Sequence, residues 1–254
     1  MTAIAGHRGG AELWPENSLL GFRRAAQLPL DFVEFDVHVS ADGDLFVHHD
    51  ATLDRMTDRQ GAIMDLTAAE ISEATIRGAD GEGVPRFGEV VEIFRPTDIA
   101  LRVEIKPNAR AAPYPQISEK VAAALGDAGM LARTVVSAFE IDALARFREI
   151  ATPGRGFIWL VNPVTFRQIG GVRGAVRIAE AFDIAEIAPR QEVVTAEVVA
   201  AAKAAGLRLG AYAVNDRPTI RRMLALDVVA FTTDRPDLAL TERDRLARAG
   251  SDRK

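Results

Sequence analysis

The chain has 254 residues, 48% hydrophobic and 26% charged, with 20 glycines and 12 prolines; this globular composition excludes disordered, collagen-like and low-complexity readings. Thirty-one basic against 36 acidic residues leave a formal charge of −5, so no nucleic-acid partner is expected. Cysteine is absent, which excludes disulfides, thiolate nucleophiles and cysteine-ligated zinc or iron–sulfur centres.

The opening Met1-Thr2-Ala3-Ile4-Ala5-Gly6 lacks the basic region and long apolar stretch of a signal peptide. No run of about 18 apolar residues follows, so a cytoplasmic protein without stable membrane insertion is expected. Short apolar or β-branched runs alternate with amphipathic ones. A strand over 2–6 leads to a helix over 18–27 and a second strand over 32–39. A hairpin strand over 44–48 comes next, then a helix opened by the capping box Thr67-x-x-Glu70. A Gly/Asp-rich loop over 78–83 and a helix after Pro85 follow. The third strand (99–105), a helix (115–126), the fourth strand (134–138) and a helix (140–150) come after them. The fifth (156–161) and sixth (183–187) strands precede a helix over 195–205. The seventh strand (208–214), a helix (218–226), the eighth strand (228–232) and a helix (237–248) close the pattern. Ser251-Asp252-Arg253-Lys254 reads as a frayed end.

Strand and helix alternating eight times predict one α/β domain over residues 1–254, a (β/α)8 TIM barrel. The stretch between the second and third strands far exceeds an ordinary loop. Residues 51–98 therefore read as an inserted subregion near the barrel mouth, a natural place for substrate selectivity.

Polar residues gather at strand ends. The strand Phe32-Val33-Glu34-Phe35-Asp36-Val37 carries two carboxylates on one face and apolar residues on the other. A barrel's outer face meets helices, so Glu34 and Asp36 point inward. His7 and Arg8 follow the first strand, and Glu104 and Lys106 end the third. Catalytic groups collect at these C-terminal ends. Of the other histidines, His38 alternates onto the Asp36 face and is a candidate to line the site, whereas His48 packs in the hairpin.

Glu34, Asp36 and Glu104, without cysteine or a His-x-x-x-His pair, make a hard-oxygen site suited to one divalent ion, Mg2+ or Ca2+. With Arg8 and Lys106 the balance becomes slightly positive and fits an anion such as a phosphodiester. A phosphomonoester or a carboxylate also satisfies that count. Histidines near pKa 6.5 can take a proton from a nucleophile and return one to a leaving alkoxide.

The stretch His7-Arg8-Gly9-Gly10, then Pro15-Glu16-Asn17-Ser18, Phe22 and Ala25, resembles the opening of the glycerophosphodiester phosphodiesterase family. Glu34-x-Asp36-Val37, Asp42-Gly43, His49-Asp50, Leu53, Arg55 and Thr57 continue the likeness. Glu104-Ile105-Lys106, Ser137-x-Phe139, Tyr212-Ala213-Val214-Asn215 and Thr233-Asp234-x-Pro236 complete it in order. The resemblance implies a TIM barrel hydrolysing small-molecule glycerophosphodiesters to glycerol 3-phosphate and an alcohol. It implies His7 and His49 as the acid–base pair and Glu34, Asp36 and Glu104 as metal ligands. Arg8 and Lys106 would then contact phosphate. It further implies attack by the glycerol 2-hydroxyl through a cyclic phosphate, with proximity lowering the barrier.

By the same pattern Glu16 supports the site, and Asn17 orients the first loop or the phosphate. The alternative for both is a capping cluster before the Ser18 helix. Ser137, Trp159 and Asn215 end strands and are candidates to line the mouth, Trp159 with core packing as its alternative. Tyr212 and Ala213 stand where the family often has Trp and Thr, which touches pocket shape rather than the acid–base set. Two other functions keep the same residues. One is lysophospholipase D-like cleavage of lipid diesters; missing cysteines and the missing secretion signal weigh against its sphingomyelinase D-like form. The other is a silent barrel that binds phosphate esters, and retention of all five histidine and carboxylate positions weighs against it.

Overall fold

The apolar runs become strands because Val33, Phe35 and Val37 meet the helical layer while the residues between them face the barrel interior. The computed structural model describes residues 1–251. Among the described residues, eight parallel strands build the barrel. They are β1 (Ala3–His7), β2 (Phe32–Val39), β4 (Ala100–Ile105), β5 (Thr134–Ala138), β6 (Phe157–Val161), β7 (Glu186–Pro189), β8 (Arg208–Leu209) and β9 (Ala230–Thr233). A short β3 (Leu45–Val47) pairs antiparallel with β2, Val37 opposite Val47.

Neighbours run in the order β8-β7-β6-β5-β4-β2-β1-β9. The two ends meet at Ala211, whose N–H donates to Ala230 O at 3.0 Å and whose carbonyl accepts from Thr232 N–H at 2.9 Å. The barrel thus closes. The strand expected over 208–214 is regular only at Arg208–Leu209. A Cβ on Gly210 would lie 2.9 Å from Ala230 O, and Ala213 takes a φ of 58°, a left-handed conformation that interrupts a strand.

The helices are α1 (Leu19–Ala25), α2 (Ala68–Ser72), α3 (Phe87–Phe94), α4 (Ile117–Asp127), α5 (Ile141–Ile150), α6 (Pro163–Gln168), α7 (Gly171–Ala181), α8 (Ala196–Ala204), α9 (Arg217–Ala225) and α10 (Pro236–Ser251). Helices α6 and α7 fill a stretch where none was expected. Of the expected frayed end, Ser251 closes α10, and Asp252, Arg253 and Lys254 lie outside the described residues. No helix among the described residues is long and apolar enough to cross a membrane.

The subregion expected over 51–98 divides in two. Phe46, Leu53, Ile63, Ile71, Ile76 and Val84 form a hydrophobic cluster of their own. Helix α3 instead buries Phe87, Val90, Val91 and Phe94 in the barrel core, with the Phe94 ring edge-to-face on Phe22 at 6.0 Å. Its apolar face makes α3 part of the ring of barrel helices, so the independent segment ends near Val84.

Candidate active site

Parallel register brings the carboxylates together. His7 pairs with Glu34, Asp36 with Glu104, and Glu104 with Ser137. One oxygen each of Glu34, Asp36 and Glu104 lies within 4.8 Å of the others, and all three residues are buried. Such a cluster needs counter-charge. Lys106 Nζ lies 2.6 Å from Glu104 Oε1 and 3.1 Å from Asp36 Oδ1. Arg8 Nε lies 3.4 Å from Asp36 Oδ2, and the Arg8 N–H donates to Glu34 Oε2 at 3.1 Å. Asn17 Nδ2 donates to Asp36 Oδ2 at 2.9 Å.

Burial pushes the Glu34 carboxyl up, Asp36 adds to this, and its pKa reaches about 7. Burial acts on Asp36 too, but Lys106 and Arg8 outweigh it and hold that group well below the usual carboxylate range. Glu104 is raised by burial, with Lys106 opposing. Buried Glu34 Oε1 has no hydrogen-bond donor, and Asp36 Oδ1 is met only by the Lys106 ammonium. Three clustered inward carboxylates, one with an unanswered oxygen, fit a hard divalent cation.

The chain turns sharply after β1 to place His7 and Arg8. Arg8, Gly9 and Gly10 have φ values of 49°, 84° and 110°, and a Cβ on Gly9 would approach the Phe22 ring to 3.1 Å. His7 Nδ1 is hydrogen-bonded to Asp234 at the end of β9. Asn215 holds Asp234 in turn, its Nδ2 donating to Oδ2 and its Oδ1 accepting from the Asp234 N–H at 2.9 Å. His7 Nε2 lies 3.9 Å from Glu34 Oε2. Burial would depress His7, but the Asp234 hydrogen bond and the Glu34 charge outweigh it and raise its pKa.

His49 lies just beyond β3. Its Nδ1 is bonded to Asp50 Oδ1 at 2.7 Å, and its carbonyl accepts from His38 Nε2 at 3.1 Å. Burial lowers its pKa despite the nearby Asp36 charge, with Lys106 and Arg8 assisting. Asp50 is clamped by Arg55, whose Nε donates to Oδ2 at 2.6 Å. Arg55 also donates to both oxygens of Glu16, at 2.6 and 3.1 Å. Arg8 Nη1 reaches Glu16 Oε1 at 3.0 Å. A chain of contacts, Arg8–Glu16–Arg55–Asp50–His49, therefore ties the first loop to the segment after β3.

A cavity of about 270 Å³ contains His7, Arg8, Glu34, His49, Glu104 and Lys106. Phe139 and Tyr212 form an edge-to-face aromatic pair in its wall, 5.6 Å apart. Other expected residues fall elsewhere. Trp159, expected to line the mouth, instead packs in the outer core and donates Nε1–H to Phe139 O at 3.1 Å. Strand alternation turns Leu160 inward instead. Glu16 and Asn17 are engaged by Arg8, Arg55 and Asp36, which makes them supports of neighbouring groups. His38 is buried between Tyr114 Oη, at 2.9 Å, and His49 O. His48 bonds Thr52 O at 3.1 Å. Asp234, Asp50 and Arg55 brace the histidines, a role that the sequence does not assign them. An Asp at a strand end and an Asp directly after His49 were the available signals. A larger cavity, about 480 Å³, lies outside the barrel beside Tyr114 and α5; it contains Lys106 but neither histidine nor triad carboxylate.

Residues 7–238 match the model of the Glycerophosphoryl diester phosphodiesterase family. A glycerophosphodiester phosphodiesterase of Caldanaerobacter subterraneus subsp. tengcongensis is 30% identical over 245 residues, 93% of this chain and 95% of that protein. A provisionally assigned glycerophosphoryl diester phosphodiesterase from Agrobacterium tumefaciens superposes with a TM-score of 0.94 at 36% identity. That match covers 98% of this chain and 99% of the other. An Oleispira antarctica phosphodiesterase, solved with the product sn-glycerol-3-phosphate, shares the fold at 23% identity and a TM-score of 0.78. It covers 96% of this chain and 97% of that one.

Proposed function

The chain belongs to the glycerophosphoryl diester phosphodiesterase family and is an enzyme of that activity; on that premise we propose that it cleaves its diester with one divalent cation and the pair His7 and His49. The observation that carries this reading is the convergence of both histidines, each braced at Nδ1 by an aspartate, on a cavity bordered by buried carboxylates.

Glu34, Asp36 and Glu104 would hold the cation, Mg2+ or Ca2+. When bound, it supplies charge stabilisation for the non-bridging phosphate oxygens. Arg8 and Lys106, which stand beside these carboxylates, would contact the phosphate. With Nδ1 engaged, each imidazole presents Nε2 to the substrate. One accepts the proton of the glycerol 2-hydroxyl as it attacks phosphorus and the other donates to the leaving alkoxide, and water then opens the resulting cyclic phosphate to glycerol 3-phosphate. The Phe139–Tyr212 wall borders the space left for the alcohol. Release of sn-glycerol 3-phosphate, the product seen in the Oleispira protein, is the expected outcome.

The test is glycerol 3-phosphate release from a mixture of glycerophosphodiesters by metal-stripped protein, with Mg2+ and Ca2+ restored separately. Activity that returns with one of them supports the reading and identifies the ion. Full activity after stripping would overturn the metal requirement. Silence with both ions, accompanied by turnover of lysophosphatidylcholine, would move the substrate to lipid diesters.

A further inference from the structure

Beneath the carboxylate triad the barrel interior holds a second charged layer. Arg102 on β4 stands in register with Glu34 and is 2% exposed. Its Nη1 donates to Thr232 Oγ1 at 3.0 Å. Its guanidinium lies 5.2 Å from the centre of the Phe32 ring, and its Nη2 is 4.0 Å from Glu186 Oε1. The buried Nε has no hydrogen-bond acceptor. An ionised group held out of water with an unanswered donor is costly.

Arg102 borders two cavities. It lines the catalytic cavity and also a second one, about 280 Å³, at the opposite end of the barrel. The second cavity is lined by residues where strands begin, among them Ala3, Phe32, Glu186, Arg208 and Ala230, together with Arg155 just before β6. Three guanidinium groups thus share this space with one carboxylate. Glu186 Oε2 is met by Arg208 Nη2 at 3.0 Å. Arg155 lies 6.0 Å from the Phe32 ring and has no carboxylate partner among the described residues. The surplus of positive charge in a cavity with low-dielectric walls favours an anion. Guanidinium groups present paired donors matched to an oxyanion.

We propose that this cavity at the N-terminal end of the barrel is a binding site for a small, doubly charged oxyanion of the phosphate class, with Arg102, Arg155 and Arg208 as its ligands. It shares Arg102 with the catalytic cavity but does not depend on the reaction assigned there.

The test is a titration of the full chain with inorganic phosphate, followed through backbone amide NMR signals. Saturable shifts are expected at Arg155, Val229 and Ala230. In the double variant Arg155→Ala/Arg208→Ala the affinity read at Val229 and Ala230 should fall by about tenfold or more, with glycerophosphodiester turnover unchanged. Chloride at matched ionic strength should leave these signals in place. Shifts confined to the Arg8–Gly10 turn, an equal response to chloride, or undiminished binding in the double variant would each overturn the proposal.

Discussion

The carboxylates of the site stand on hydrogen-bonded parallel strands, whereas His49 stands at the edge of a segment with a hydrophobic cluster of its own. On the barrel side, Glu34, Asp36, Glu104 and His7 are positioned by strand register, and shifting one of them means shifting a strand. On the inserted side, His49 is placed by contacts across a seam: the His38 bond to its carbonyl and the Arg55 clamp between Asp50 and Glu16. The difference separates two kinds of support. The barrel holds a charge cluster that would otherwise repel itself, and the insertion brings up His49, the acid–base group we propose, through side-chain contacts that a single substitution can release.

The largest effects should show whether the two cores are separate. Phe35 is fully buried and stacks edge-to-face on Phe22 and Phe87, both at 5.8 Å. Phe35→Ala should cost about 3–5 kcal/mol and lower the melting of the whole protein. Leu53, equally buried, belongs to the insertion. Leu53→Ala should cost about 2–5 kcal/mol, read as faster hydrogen exchange over 46–84 while barrel amides stay protected. Equal loss of protection in both regions would show one cooperative unit instead.

A smaller effect sharpens the comparison at the seam. Arg55→Ala removes the clamp on Asp50 without touching the carboxylate triad. We expect kcat to fall about 10–100-fold with little change in KM, the scale seen when groups that orient a ligand are removed, and Arg55→Lys to restore part of it. A change in KM alone would mean that Arg55 meets substrate rather than positioning His49. Smaller still is the cap of α2, where Thr67 Oγ1 accepts from the Glu70 N–H at 3.3 Å and the Thr67 N–H donates to Glu70 Oε2 at 2.8 Å. Thr67→Ala should cost about 1 kcal/mol, confined to exchange in the insertion, with turnover intact.

The last prediction is a slope rather than a step. Burial lowers the pKa of His48 in spite of the Asp50 charge and the Thr52 hydrogen bond. The unfolded chain therefore takes up this proton first as pH falls below about 6.5. The stability that neutral His48 contributes is complete above that pH and lost through the window between 6.5 and the lower folded value. His48→Gln should flatten this limb of a stability–pH curve, and an unchanged limb would place the proton elsewhere.

Much of this architecture could be read from residue order. Each expected barrel strand has a counterpart, because Gly, Pro or Asp marks most junctions and the period-two runs are short. The inward carboxylates were legible because Glu34 and Asp36 interrupt an apolar run at strand spacing. Trp159 was not, since both faces of Phe157–Val161 are apolar and alternation alone cannot choose between them. Helix α7 was hidden by Gly170, Gly171 and Gly174, which break a helical pattern in sequence, and α6 is only six residues long. In the fold, Gly170 turns the chain with a φ of 88°, and a Cβ on Gly174 would collide with Ile169 O at 1.7 Å. The bracing of His7 by Asp234 spans 227 positions, a distance over which spacing carries no signal. It takes barrel closure, β9 beside β1, to bring the two together.

The most direct test of a reaction centre assembled from both regions is the turnover of His7→Ala, His49→Ala and the double variant with cation supplied. Each single variant should lose about 10²–10⁴ in kcat. If the two histidines serve one step as a unit, the double variant should lose little more than the slower single. A folded His49→Ala or His7→Ala protein that turns over glycerophosphodiesters at the unaltered rate would contradict the account.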